Sequence, residues 1–319
     1  MSGTRGVAYF GSRMLRHVTD DMYRIADLGF TDVLHTFSED DLRHYEKQMH
    51  RIVEVSHQAG LRVTLAPFGV AGMFGGEAST YLLAEHPEVR QVDPVAGPVA
   101  AGCPMNQRVR DYLLGWLTAA AATGAERIFW DEPHWGFPIS RNRACVCRAC
   151  LGHSWTDLAQ RPEEGLLDLL TMLTSATVDA GTDPVICLLP RELGGTSLED
   201  WRKVARIPGL VELATDPYWQ SAGIPVEPFV SASTRKLVRA VEGTPVRAAV
   251  WVQGFGLSLK DTPDVLDAID AIRRLDVDDL WVWAYEAGGH MTSLATTDPD
   301  AVWSYVSTHI ASPKIGVVP

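Results

Sequence analysis

Asp131 and Glu132 stand back to back in the stretch RIFWDEPHW, residues 127–135. Ile128, Phe129 and Trp130 precede them, and Pro133, His134 and Trp135 follow. An apolar strand that runs into two carboxyl groups flanked by indoles carries acids into a poorly hydrated place. Desolvation raises a carboxyl pKa, which is what a general acid working near neutral pH requires. The plainer alternative is a surface pair at a strand end. Two more acids end apolar runs in the same way: Asp216 in ATDPYWQ and Glu286 in WVWAYEAGG. Each is a candidate second carboxyl, with hydroxyl binding or helix capping as the competing use.

Cysteines make the second constellation. ACVCRACLGH places Cys145, Cys147 and Cys150 in a CxCxxC cluster, and Cys103 lies upstream in a separate loop. Thiolates packed so closely repel one another without a cation between them. Four thiols are also the number that a closed tetrahedral zinc site uses, and such a site is structural because no position stays open for water. Free thiols or an adventitious disulfide are the alternative. Cys187, inside the apolar run VICLLP, reads as a small buried core residue.

The elements that must position these groups alternate along the whole chain. Strand candidates are 6–11, 32–37, 62–69, 127–133, 184–190, 210–219, 247–255 and 279–286. Helix-like segments cover 20–29, 40–59, 106–123, 163–180, 198–206, 229–241, 263–274 and 298–309. Eight strands, each followed by a helix, predict one (β/α)8 TIM barrel spanning 1–319, and the buried character of the strands fits a parallel sheet. An open doubly wound sheet is the rival, but no dinucleotide fingerprint follows the first strand. No P-loop, HExxH or GxSxG is present either. Two connections are long, Val70 to Met105 after strand three and His134 to Glu163 after strand four. In a barrel both lie on the C-terminal face, where active sites are built.

Bulk properties exclude several partners. The chain has 319 residues, 46% hydrophobic and 21% charged, with a formal net charge of −12 and no basic run. That sign disfavours nucleic acid and anionic membranes. Neither a signal peptide nor an apolar run long enough to span a bilayer is visible, so a cytoplasmic protein is expected.

Taken together, Cys103, the CxCxxC of Cys145, Cys147 and Cys150, and the DEP of 131–133 resemble glycoside hydrolase family 42, the zinc-containing β-galactosidases of a TIM-barrel clan. The resemblance implies a zinc bound by those four cysteines and matches Glu132 to the general acid/base ending strand four. It extends to residues 1–310 as architecture but only to 103–150 as motif. Two departures matter. Asp131 replaces the family's asparagine, and strand seven, AVWVQGFG, offers Gln253 where the clan's nucleophilic glutamate is expected. A single barrel without the family's additional domains is expected, so galactosidase activity itself does not carry over.

The expected activity is hydrolysis of a small or terminal glycoside, with Glu132 as acid/base, Asp216 or Glu286 as the second carboxyl and Asp131 in support. Trp130, Trp219, Trp251, Trp283 and Tyr285 cluster near strand ends as candidate sugar platforms, with Trp135 and Trp281 nearby. Tyr9, His35, His134 and Gln253 are candidate polar contacts. Alternation of side chains predicts that about half of the indoles pack elsewhere. The adjacent Asp-Glu also resembles hexosaminidases in which the substrate's own acetamido group is the nucleophile, which would make a strand-seven glutamate unnecessary; only a distorted strand end lets both acids reach one site. Two other readings remain: a carbohydrate-binding pseudoenzyme, and a metal-dependent lyase or isomerase using His35 and His134.

Overall fold

The computed structural model describes residues 3–10, 12–76, 79–138, 144–152, 161–193 and 198–311. Parts of the loop expected between His134 and Glu163 lie outside these residues. Eight strands form the core: β1 (Arg5–Tyr9), β2 (Asp32–Thr36), β3 (Arg62–Ala66), β4 (Arg127–Trp130), β5 (Asp183–Cys187), β6 (Glu212–Thr215), β7 (Arg247–Gln253) and β8 (Asp279–Trp283). Each pairs in parallel with the next, and β8 pairs with β1 to close the barrel. The (β/α)8 TIM barrel expected from the alternation is therefore the fold. Most strands stop short of the ends expected from sequence, β4 at Trp130 rather than at residue 133. Past those points the ladder bonds end and the chains splay, and the overhanging residues form the mouth.

Side-chain alternation sorts the strands into two layers. Ala8, Leu34, Ala66, Phe129, Val185, Cys187, Ala214, Ala249, Trp251 and Trp281 fill the barrel. Val7, Val33, Val63, Ile128, Trp130, Ile186, Leu213 and Val250 pack outward into the main core, which the helices cover. Large indoles inside need small neighbours. Gly6 is one of them, since a Cβ there would stand 2.1 Å from the Trp281 ring.

Charged residues close the N-terminal end of the barrel. Glu212 is met by Arg247 at 2.6 Å and Arg127 at 3.4 Å, while Asp32 is met by Arg62 at 3.0 Å. Burial of these charges is tolerable because each carboxylate has a guanidinium beside it. None of the described helices is long and apolar enough to cross a membrane.

The loop after β3 contains elements that the sequence did not announce. A 3-10 turn (Val70–Gly72), a short helix (Tyr81–Glu85) and a hairpin (Arg90–Asp93 with Gly97–Gly102) lead to Cys103. This hairpin is tied to the loop after β4: Val146 N–H donates to Val92 O at 2.9 Å, and Gly136 N–H donates to Gln91 Oε1 at 2.8 Å.

Candidate active site

Phe129 faces the barrel interior, so alternation sends Asp131 inward and Glu132 outward. Glu132 breaks that rule. Its φ is +42°, a left-handed conformation that a non-glycine residue adopts only under constraint. Three hydrogen bonds hold the turn. Gly75 N–H donates to Asp131 O at 3.2 Å, His134 N–H donates to Met73 O at 3.1 Å, and His134 Nδ1–H donates to Glu132 O at 2.7 Å. Both carboxyl groups then converge beneath Gly75: a Cβ there would stand 2.8 Å from Asp131 Oδ2 and 3.0 Å from Glu132 Oε2.

Asp216 arrives just past the end of β6, and its carboxyl lies close enough to Glu132 to be pushed up by that acid's charge. The three acids line one cavity of about 340 Å³ at the C-terminal mouth, with Phe68, Phe129, Tyr218, Trp251, Phe255 and Trp283 as aromatic walls. Met291 and Leu294, from the loop after β8, complete the rim. No Arg, Lys or His lines this cavity among the described residues. Burial, then the Glu132 charge, pushes the carboxyls of Asp131 and Asp216 well above the usual carboxylate range. Carboxyls gathered this closely, with no cation lining their cavity, disfavour a further negative charge among them.

The structure divides the expected contact residues. Trp251 and Trp283 line the cavity, and His134 supports the backbone of Glu132. Trp130 does not reach the cavity: its parity turns it outward against Phe74 and Trp116, with its indole N–H donating to Thr177 Oγ1 at 3.3 Å. Trp219 is likewise buried in the outer core. His35 faces Ser56, its Nε2 at 2.9 Å from the hydroxyl, and burial pushes its pKa down to about 3. Gln253 is occupied by structural bonds, accepting from Gln220 N–H at 3.0 Å and donating to Phe255 O at 3.1 Å.

Glu286 is not brought to the other acids. It is exposed in a separate cleft lined also by Tyr9, His17, Asp20, Asp21, Arg24, Tyr285 and His290. Tyr9 and Tyr285 are tied there, both donating to Asp21, at 2.8 and 3.0 Å. Sequence reasoning missed Tyr218. A tight turn, with Tyr218 N–H donating to Asp216 O at 2.7 Å, folds it back beside the acid. The Asp-Pro at 216–217 was the available signal, since such a pair favours turns.

Sulfur atoms of Cys103, Cys145, Cys147 and Cys150 all lie within 4.8 Å of one another, and all four residues are buried. Gly102, next to Cys103, packs against the turn at Ala71–Gly72 that leads to Gly75. The cysteine cluster thus sits behind the loop that roofs the acids.

No protein-family model matches the sequence, and no curated protein matches it. Solved structures do share the fold. An endo-1,4-β-mannanase from Rhizomucor miehei aligns with a TM-score of 0.69 at 9% identity, over 97% of this chain and 94% of its own. The catalytic domain of the β-amylase from Paenibacillus polymyxa gives 0.61 at 10% identity, over 98% and 100%. An exo-β-N-acetylglucosaminidase from Vibrio harveyi, in complex with N-acetylglucosamine, gives 0.54 at 9% identity, over 89% of this chain and 50% of its own. At such identities the likeness establishes the barrel alone.

Protonated carboxyls are directly observable. At pH 7 the infrared spectrum is expected to contain a protonated-carboxyl carbonyl band that weakens in Asp216→Asn and weakens further in the Asp131→Asn, Asp216→Asn double variant. A spectrum with only ionised carboxylate bands would contradict the raised pKa.

Proposed function

We propose that this protein is a glycoside hydrolase whose working pair is Glu132 and Asp216. One observation carries the reading: acids from two separate strand ends meet in one aromatic-walled cavity at the C-terminal mouth of a TIM barrel. Hydrolysis of a glycoside needs a proton for the leaving oxygen and a negative group facing the cationic sugar carbon. A proton held on Asp216, whose carboxyl burial pushes up, meets the first need. As a glycosidic oxygen enters beside Glu132, that proton passes through Glu132 to the oxygen, and the C1–O bond breaks. Asp216, now ionised, faces the positive charge that develops at C1. A water then adds at C1, and its proton returns to the pair.

Aromatic faces support the substrate class, because Trp251 and Trp283 offer flat apolar surfaces to the C–H faces of a sugar ring. The cavity is also at the small end of ligand pockets, roughly 300–1,000 Å³, which suits a terminal sugar better than a polymer groove. The mannanase, β-amylase and N-acetylglucosaminidase that share this fold act on glycosidic linkages by their names, which is consistent with the reading. Asp131, beside Glu132, would hold that side chain and keep a proton close by.

Zinc belongs to this proposal as a structural ion. Four sulfurs about 2.3 Å from one ion stand roughly 3.8 Å apart in a tetrahedron, and the four buried thiols fit that spacing. Here the kinship with family 42 is retained, as a proposal about the metal clip and not about galactose. Zinc would pin the hairpin and the loop after β4, and through them the segment over the acids. Metal analysis of the purified protein is expected to give one zinc per chain, with chelation lowering the melting temperature. Metal-free protein of unchanged stability would remove zinc from the account.

Kinetics test the acid. Glu132→Gln is expected to slow hydrolysis of glycosides with alkyl or sugar leaving groups by about 10²–10⁴-fold. Aryl glycosides with good leaving groups should lose far less, since they need little protonation. Equal losses on both would deny Glu132 the role, and sugar binding without turnover of any glycoside would make the protein a binding module.

A further inference from the structure

The chain carries a formal net charge of −12, yet five cationic side chains gather in one cleft among its outer helices. The cleft, about 780 Å³, lies between the helix Trp201–Ala205, which precedes β6, and the helix Val226–Val241, which follows it. Arg202 and Arg206 line it from the first segment, and Arg235, Lys236 and Arg239 from the second. It shares no lining residue with the acid cavity.

Three of these cations are held in place. Arg202 donates to Asp200 from Nε at 2.8 Å and from Nη2 at 2.9 Å, and Arg206 Nη1–H donates to Arg202 O at 3.1 Å. The Lys236 ammonium stands 4.0 Å from the centre of the Trp201 ring, a cation–π contact. Donors fixed before a ligand arrives lower the cost of binding it. Arg235 and Arg239 differ. They stand four residues apart on one face of their helix, a spacing at which like charges repel. Neither guanidinium has a hydrogen bond or ion pair among the described residues. Arg239 suits the carbonyl end of its helix, but Arg235, more than a turn back from it, does not share that benefit.

The acids in the cleft set the charge of a matching ligand. Glu199, Asp200 and Glu242 also line it, so five cations face three carboxylates and leave two positive charges in excess. A phosphate monoester carries about −1.5 to −2 at pH 7 and matches that excess. A carboxylate would leave one charge over, and a polyphosphate would bring more negative charge than the excess neutralises. Guanidinium forks also fit phosphate oxygens. Asp200 is taken by Arg202, whereas Glu199 and Glu242 form no ion pair among the described residues and can accept from hydroxyls. The volume suits a whole small molecule, for which pockets run to roughly 300–1,000 Å³.

We propose that this cleft binds a phosphate monoester of a polyhydroxy compound, a sugar phosphate by its chemistry. Arg235 and Arg239 take the phosphate oxygens, Lys236 adds a third donor, and Glu199 and Glu242 accept hydroxyls. The inference does not rest on the hydrolase reading.

Calorimetric titration of the whole chain with glucose 6-phosphate and with methyl phosphate, at low and high salt, tests it. Glucose 6-phosphate is expected to bind saturably, more tightly than methyl phosphate, and more weakly as salt screens the charges. Arg235 and Arg239 are exposed, so an Arg235→Gln, Arg239→Gln double variant leaves the core untouched, and its melting curve checks this. It should bind glucose 6-phosphate at least about tenfold more weakly, while Arg235→Lys, Arg239→Lys, which keeps the charge and loses the forks, should lose less. No binding of either phosphate would overturn the proposal, and so would equal affinity in the protein and the Gln double variant. Methyl phosphate bound as tightly as glucose 6-phosphate would overturn the sugar part of the assignment.

Discussion

The site depends on one backbone turn. Adjacent residues of a strand point to opposite faces, so Asp131 and Glu132 can share a cavity only if the chain between them is wrenched out of strand geometry. The left-handed φ of +42° at Glu132 does this. Such a conformation costs roughly 1–3 kcal/mol for a non-glycine residue, and the hydrogen bonds from Gly75, His134 and its imidazole offset it. Those donors sit on the segment after β3 and on the residue past Pro133. The long loops therefore exist for more than cover. They hold the turn, the hairpin holds the loops, and the buried cysteines hold the hairpin.

Charge is handled in opposite ways at the two ends of the barrel. At the floor, Asp32 and Glu212 are met by Arg62, Arg127 and Arg247, whose charges partly offset the burial that pushes Glu212 up to about 7. At the mouth, three acids meet with no cation lining their cavity among the described residues. There the only neutralising agent is the proton. Low dielectric surroundings strengthen the repulsion that a second ionisation would meet, so the group keeps a transferable proton at a pH where free carboxyls would have lost theirs. A floor built like the mouth would be unstable, and a mouth built like the floor would hold salt bridges instead of an acid.

Much of this was legible in the sequence, and the limits are physical. The eight apolar runs and their helices gave the barrel because their periodicity differs from that of helices, and the period is a local property. Strand ends, which the fold gathers on one face, marked Asp216 and Glu286 equally as partners for Glu132, and of the two only Asp216 lines the same cavity. What failed was the sorting of aromatics. Parity alone separates Trp251 and Trp283, which share the inward phase of Ala249 and Trp281, from Trp130, which does not; Trp219 lies past β6 at the start of a short helix, where parity no longer applies. Glu286 and Tyr285 escaped because they lie past the end of β8, where the chain enters a 3-10 turn and parity no longer applies. Neither the hairpin before Cys103 nor the reversal at Tyr218 shows a hydrophobic pattern, since both are fixed by turns and by contacts with distant loops.

The central claim is that Glu132 and Asp216 act as one proton-sharing unit. A double-mutant cycle tests it most directly: kcat/KM for the protein, for Glu132→Gln, for Asp216→Asn and for the double variant, on one glycoside. Groups that work as a unit are strongly non-additive. The double variant should be no worse than the poorer single one, within about threefold. Losses that multiply, so that the double variant carries the product of the two single effects, would mean that the two carboxyls act independently and would contradict the account.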